Sequence, residues 1–229
     1  MLIMISVILP TRNDETALAH ALAALVPAAA DGMVREVIVV DRGSSDGTAL
    51  VADAAGCRFV RAAAGEGEDL ARAAVNARSD WLLFLSPHVA LEPGWQREAQ
   101  DFIDRVQASG DPLRAAAFRH ARAGFGAGAR VAETAASLRM RLFAAPYLDE
   151  GLLVSTRLYR EIGGHRPLPG IADVDLARRI GRRRLSFLRS RAVLRGDAPR
   201  RGDGALPSAA RLALMVLRVP ASLIARRAG

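Results

Sequence analysis

Glu36-Val37-Ile38-Val39-Val40-Asp41-Arg42-Gly43-Ser44-Ser45-Asp46-Gly47-Thr48 is the stretch on which the fold turns. Glu36–Val40 is apolar on both faces, the pattern of a strand covered on both sides. Asp41-Arg42-Gly43 stops it, and Ser44, Ser45 and Asp46 supply caps for a helix over Gly47–Ala55. Upstream, Met4–Leu9 reads as a second buried strand ended by Pro10. Asp14–Val26 then places Leu18, Leu22 and Leu25 at helical spacing. Downstream come a strand at Arg58–Arg61, a helix at Glu68–Arg78, a strand at Trp81–Leu85 broken by Pro87, and a helix at Pro93–Ala108. This alternation predicts an α/β chain with a Rossmann-like, mostly parallel central sheet flanked by helices.

The remaining sequence is less regular. Ala123–Ala129 is rich in Gly and Ala and reads as a loop. A strand is expected at Gly151–Val154, with helices at Arg157–Ile162 and Val174–Arg183. Residues 197–207 are rich in Gly, Pro and charge and read as a linker between a domain over 1–196 and a basic amphipathic tail over 208–229.

The chain has 229 residues, enough for one sizeable core, and 51% are hydrophobic, which excludes a disordered chain. Its 32 basic residues against 24 acidic ones give a formal charge of +8, and every basic residue is Arg. The Arg bias is read either as compositional drift or as phosphate recognition by bidentate guanidinium groups. No helix-turn-helix, RRM or zinc-finger pattern supports a nucleic-acid partner. Cys57 is the single cysteine, so no intrachain disulfide forms, which suits a cytoplasmic location. Met1–Pro10 has no basic start and reads as a strand rather than a signal peptide. No window reaches the roughly 18 uncharged apolar residues that a membrane span needs.

In open α/β sheets, ligands sit at the carboxyl ends of the strands. Three such ends carry polar groups: Pro10-Thr11-Arg12-Asn13-Asp14, the stretch from Asp41 to Thr48, and Ser86-Pro87-His88. Each is also explained as a strand, a turn and a helix cap, with Asn13, Ser44 or Asp46 as the capping residue.

Taken in order, these segments resemble the start of the family 2 glycosyltransferases. Those enzymes read V-S-V-V-I-P-T-Y-N-E and then E-V-I-V-V-D-D-G-S-x-D-G-T, where this chain has Ile5–Asp14 and Glu36–Thr48. The likeness continues through Asp80–Leu85, Leu91–Trp95, Tyr147–Leu153, Leu158–Gly164 and Leu168–Leu176. It is nearest to small single-domain bacterial members of the type linked to arsenosugar biosynthesis. The resemblance implies a GT-A fold and an inverting transfer from a nucleotide-sugar, with a UDP-sugar as donor. It implies that Pro10, Thr11, Arg12, Asp14, Asp41, Gly43 and Ser44 line the nucleotide pocket. An ionised Asp41 would accept a hydrogen bond from the base, and Gly43 would let the backbone turn beside it.

Several positions depart from the family pattern. The D-x-D motif, whose second Asp holds a divalent cation on the diphosphate, is Ser86-Pro87-His88 here. His88 is a nitrogen donor that suits Mn²⁺ better than Mg²⁺, so either cation is expected to play a weak part. The N-x-G before the Trp strand is replaced by Ala71-Arg72-Ala73, the Tyr after Pro-Thr by Arg12, and the Glu of the E-D pair by Ala172. The Q-x-x-R-W element of processive synthases is absent from the sequence. Arg12, Arg42 and Arg182-Arg183-Arg184 are the candidates to meet the diphosphate charge in place of metal.

Asp173 occupies the position of the family's catalytic base at a helix start, where it also reads as an N-cap. Asp175 reads as an ion-pair partner of Arg178 or Arg179. In the tail, Leu212–Leu217 lies between Arg211 and Arg218, a pattern that fits either an anionic membrane surface or packing on the domain. The membrane reading places the chain on the inner face of the membrane with a lipid-linked acceptor. Two functions therefore stand at this point: an active nucleotide-sugar transferase, or a catalytically impaired GT-A module that binds nucleotide. A nucleotidyltransferase fits less well, because no Gly-rich, Lys-containing phosphate loop is present.

Overall fold

The computed structural model describes residues 3–122, 151–168 and 171–195. The expected loop at Ala123–Ala129, the linker and the basic tail lie outside the described residues, as do Tyr147–Glu150, Pro169 and Gly170 of the family-like segments.

Eight strands form one sheet. In chain order they are β1 Ile5–Thr11, β2 Val34–Asp41, β3 Arg58–Arg61, β4 Trp81–Phe84, β5 Val89–Leu91, β6 Ala115–Arg122, β7 Leu152–Ser155 and β8 Leu185–Leu194. The helices are α1 Glu15–Ala30, α2 Thr48–Ala54, α3 Glu66–Val75, α4 Trp95–Ser109, α5 Thr156–Glu161 and α6 Ala172–Ile180. The sheet order is β3-β2-β1-β4-β7-β6-β8-β5. Its first four strands are parallel, as the sequence predicts. Beyond them the sheet is mixed: β7 runs antiparallel to β4 and β6, β6 and β8 are parallel, and β5 is antiparallel to β8.

Alternation along buried strands sends side chains into two cores, one on each face. Val7 and Leu9 pack with Leu18, Leu22 and Leu25 of α1 and with Trp95, Phe102 and Ile103 of α4. Ile8, Ile38 and Val40 point the other way, onto Leu70 of α3, Leu158 and Tyr159 of α5, and Leu176 and Ile180 of α6. Each fully buried side chain of this size contributes about 1.5–3 kcal/mol.

Two expected boundaries are corrected. Strand β1 does not stop before Pro10 but runs on to Thr11. β4 pairs with β1 only over Ile5–Ile8, so Pro10 lies beyond that neighbour and its missing N–H costs no ladder bond there. Helix α1 likewise continues past Pro27 to Ala30, because Ala28 is packed in the core. Strands β5, β6 and β8 were not expected at all. β8 bulges against β6: Ala117 faces Phe187 while Arg119 faces Arg191. The Glu98 carboxylate of α4 takes the amide N–H groups of Arg189 and Ser190 at 2.6 and 2.7 Å, which satisfies the bulge.

Candidate functional site

The carboxyl ends of β1 and β2 lie side by side, since Thr11 is in register with Asp41. The two loops that follow are knitted together by hydrogen bonds. Thr11 Oγ1 donates to Asp41 Oδ1 at 3.1 Å, Asn13 N–H to Ser44 Oγ at 2.8 Å, and Ser45 N–H to Asn13 Oδ1 at 2.8 Å. Asp14 N–H donates to Thr48 Oγ1 at 3.0 Å, Glu15 N–H to Asp46 Oδ2 at 3.1 Å, and Gly47 N–H to Glu15 Oε2 at 3.0 Å. Asn13 adopts a left-handed φ of 56°, which an Asn tolerates. Gly43 has a φ of 81°, so a side chain there would be strained even though nothing crowds it.

Asp41 is buried and its carboxylate is already busy. Oδ2 accepts from the amides of Gly43 and Ser44 at 3.1 and 3.0 Å, and Oδ1 accepts from the hydroxyls of Thr11 and Ser44. The residue that the sequence offers as a base acceptor thus also shapes the loop that would hold the base. Helix caps were expected from Asn13, Ser44 or Asp46. The α1 and α2 caps are instead Asp14 and Gly47, neither with a side-chain cap bond. Asn13 and Ser44 spend their oxygens within the two loops, while Asp46 divides its carboxylate: Oδ2 takes the Glu15 amide across the loops and Oδ1 takes the amide of Thr48, the first residue of α2, at 3.0 Å.

The end of β4 enters the same site. His88 Nε2 meets Asp14 Oδ1 at 2.9 Å, while Asp14 Oδ2 accepts the Arg12 amide at 2.7 Å. Ser86 is buried, and its Oγ accepts the His88 amide at 3.4 Å. Arg12 points to solvent and its guanidinium has no ion-pair partner among the described residues. Arg42 pairs with Glu66 at 3.6 Å and Arg184 with Glu161 at 3.3 Å, so these two candidate cations are engaged. The Arg182-Arg183-Arg184 run follows the helix instead of ending it, because α6 stops at Ile180 before Gly181.

A divalent cation of the family type does not fit the residues present. His88 directs Nε2 at a carboxylate, and no group of three or more His, Cys, Asp or Glu side chains that could hold a metal occurs among the described residues. The hard oxygen set that Mg²⁺ prefers is not assembled by Ser86 and His88.

Asp173 and Asp175 lie in the first turn of α6. The cap reading of Asp173 is corrected: Ile171 is the N-cap, and the helix begins at Ala172. Asp175 is paired as expected, with Arg179 Nε at 2.8 Å. Arg179 also donates to the Ile162 carbonyl, which ties α6 to the end of α5. At Gly67, an added Cβ would meet the Arg166 carbonyl at 2.1 Å and the Ala172 Cβ at 3.1 Å, so α3 and the start of α6 are in close contact. Sequence reading passed over His165 and Tyr159. Tyr159 Oη lies 2.8 Å from His165 Nδ1, and His165 Nε2 lies 3.5 Å from Asp173 Oδ1. The signal available was a His eight positions before an acidic helix start.

Residues 6–113 match the model of glycosyl transferase family 2. Glucosyl-3-phosphoglycerate synthase of Mycolicibacterium paratuberculosis is 36% identical over 103 residues, which cover 39% of this chain and 31% of that protein. The match thus spans about a third of the curated relative's length. The crystal structure of M. tuberculosis glucosyl-3-phosphoglycerate synthase superposes with a TM-score of 0.62 at 23% identity, covering 97% of this chain and 80% of the other. The same enzyme in complex with Mn²⁺, UDP-glucose and phosphoglyceric acid gives 0.59 at 23% identity, covering 86% and 72%. S. aureus TarS gives 0.63 at 18% identity, covering 83% and 60%. The chain has the GT-A fold, and the family match supports a glycosyltransferase.

Proposed function

We propose that this chain transfers a sugar from a nucleotide-sugar, a UDP-sugar by preference, to an acceptor hydroxyl with inversion at the anomeric carbon. The observation that carries this reading is the knitted pair of loops after β1 and β2, which falls inside the family match at residues 6–113. Pro10, Thr11, Arg12, Asp14, Asp41, Gly43 and Ser44 line the nucleotide pocket. Asp173 takes the proton from the acceptor hydroxyl as its oxygen forms a bond to the anomeric carbon. The bond from that carbon to the diphosphate oxygen breaks on the opposite face, and the nucleoside diphosphate leaves. Arg12, exposed at the end of β1 and without an ion-pair partner among the described residues, meets its charge.

The relatives named above supply the first ligands to try: UDP-glucose as donor and phosphoglyceric acid as acceptor, both present in complexes of the M. tuberculosis enzyme. A lipid-linked acceptor rests on the tail's sequence pattern alone, and so does a peripheral site on an anionic membrane. Among the described residues no helix is long and apolar enough to cross a membrane. The arsenosugar-linked branch rests on the motifs at the strand ends.

The decisive experiment is a thermal-shift screen with nucleoside diphosphates, with and without Mn²⁺, followed by a transfer assay with the nucleotide-sugar of the best binder. A ligand that binds only the folded state raises the melting temperature. Stabilisation by UDP and product formation from a UDP-sugar support the proposal, and no shift with any nucleotide overturns it. The second reading, a binding module on the same fold, is favoured by the His88–Asp14 contact at the metal position. It gains if UDP binds and no acceptor is glycosylated.

A further inference from the structure

Tyr159, His165 and Asp173 form a line of polar groups leading from the core under α5 to the first turn of α6. The His165 side chain is fully buried. Phe84 of β4 meets its ring edge-on, with centroids 4.8 Å apart, and Tyr159 stacks on Phe84 at 5.3 Å. Packing therefore sets the plane of the imidazole.

The hydrogen bonds set its tautomer. The His165 amide donates to Tyr159 Oη at 3.0 Å, so the phenol oxygen accepts there. Among the described residues His165 Nδ1, 2.8 Å away, is the one acceptor in reach of the phenol's proton, so the phenol donates there. Burial pushes the Tyr159 phenol well above its ordinary value, so that proton stays in place. A neutral imidazole that accepts at Nδ1 carries its hydrogen on Nε2. Nε2 is buried without a hydrogen-bond partner and lies 3.5 Å from Asp173 Oδ1. That separation is long for a hydrogen bond, as catalytic contacts often are before substrate binds.

We propose that His165 is a positioning residue for Asp173, its Nε2–H holding Oδ1 so that Oδ2 faces the acceptor hydroxyl. Tyr159 acts one step further back by fixing the ring's tautomer. The inference rests on Asp173 being the base, as proposed above.

Two arms test it on the full chain. In ¹⁵N-labelled protein, the His165 imidazole is identified by its loss in His165→Phe. An Nε2-protonated ring whose Nε2 resonance moves in Asp173→Asn supports the proposal. An Nδ1-protonated ring, or an Nε2 resonance indifferent to Asp173→Asn, overturns it. This arm needs no turnover. In the transfer assay, His165→Phe keeps the ring packing and removes the donor. It is expected to lower kcat about tenfold to a hundredfold with little change in donor KM. His165→Gln, which still presents an N–H, is expected to recover part of the loss, and it replaces the Phe variant if that one does not fold. Unchanged kcat in His165→Phe beside an inactive Asp173→Asn overturns the positioning role and leaves the base standing. Full activity in Asp173→Asn overturns both.

Discussion

His88 Nε2 lies 2.9 Å from Asp14 Oδ1, so the end of β4 is fastened to the residue that opens α1. The contact joins two segments far apart in sequence, both of which border the loops after β1 and β2. It also lies where the sequence resemblance would set the second Asp of D-x-D.

His88→Asp would set a second carboxylate against Asp14, and two close carboxylates repel unless a cation lies between them. The variant is expected to melt below wild type in chelator and to regain stability with Mn²⁺ or Mg²⁺, while wild type shifts little with either metal. Any transfer by wild type should depend weakly on divalent cations. Activity lost in chelator and recovered with Mg²⁺ would show that the wild-type site holds metal after all.

Asp41→Ala removes the acceptor shared by Thr11, Gly43 and Ser44. The fold should lose stability and nucleotide affinity together, each by about 1.5–3 kcal/mol, the worth of hydrogen bonds to a charged group. Calorimetry and thermal melts measure the two effects. Unchanged affinity for every nucleotide that binds wild type would remove Asp41 from the pocket.

Asp173→Asn should abolish transfer while nucleotide binding and melting temperature hold. Ile171, and not Asp173, occupies the N-cap, and the amide keeps the shape of the side chain in the first turn. Loss of a general base costs about 10²–10⁴ in rate. Asp175→Asn is the companion variant: it breaks the contact with Arg179, so its effect should fall on stability. Retention of most activity in Asp173→Asn would place the base elsewhere.

Acid should loosen the far side of the sheet. Burial raises the Glu98 carboxyl, but the Ser190 hydroxyl and the amides of Arg189 and Ser190 outweigh it and hold the group below its ordinary value. A carboxyl depressed in the folded state contributes stability that is fully present above its unfolded value, near 4.5. That contribution is lost as pH falls through the lower folded value. Melting temperature should thus drop more steeply below about pH 4.5 in wild type than in Glu98→Gln. Parallel curves would show that Glu98 contributes nothing to acid sensitivity.

Deleting Ser208–Gly229 should leave the melting transition intact and weaken binding to anionic liposomes, and high salt should weaken binding of the full chain. Aggregation or unfolding of the shortened protein would show that the tail belongs to the core.

The parallel half of the fold was readable because Met4–Leu9, Glu36–Val40 and Trp81–Leu85 are mostly apolar runs set between turn signals. Strands β6 and β8 were not. Ala115-Ala116-Ala117 shows little preference for a strand, and Arg189, Ser190 and Arg191 break the apolar run of β8. Their amides are satisfied by Glu98 and Glu92, partners that no local pattern discloses. The loops at Thr11 and Asp41 were legible as strand ends. The contacts of His88 with Asp14 and of His165 with Asp173 were not, since each needs the sheet to bring its partners together.

The sheet ends on short pieces: β3 has 4 residues at one margin and β5 has 3 at the other, while the 10-residue β8 lies one place inside. β5 covers β8 only over Ala192–Leu194, and the carboxylates of Glu98 and Glu92 occupy the amides of the next three residues. Among the described residues, a strand from another molecule would find few open backbone donors at either margin. The protein should therefore resist edge-to-edge polymerisation even when crowded, and loss of Glu98 should be felt in shelf life as well as in the melt.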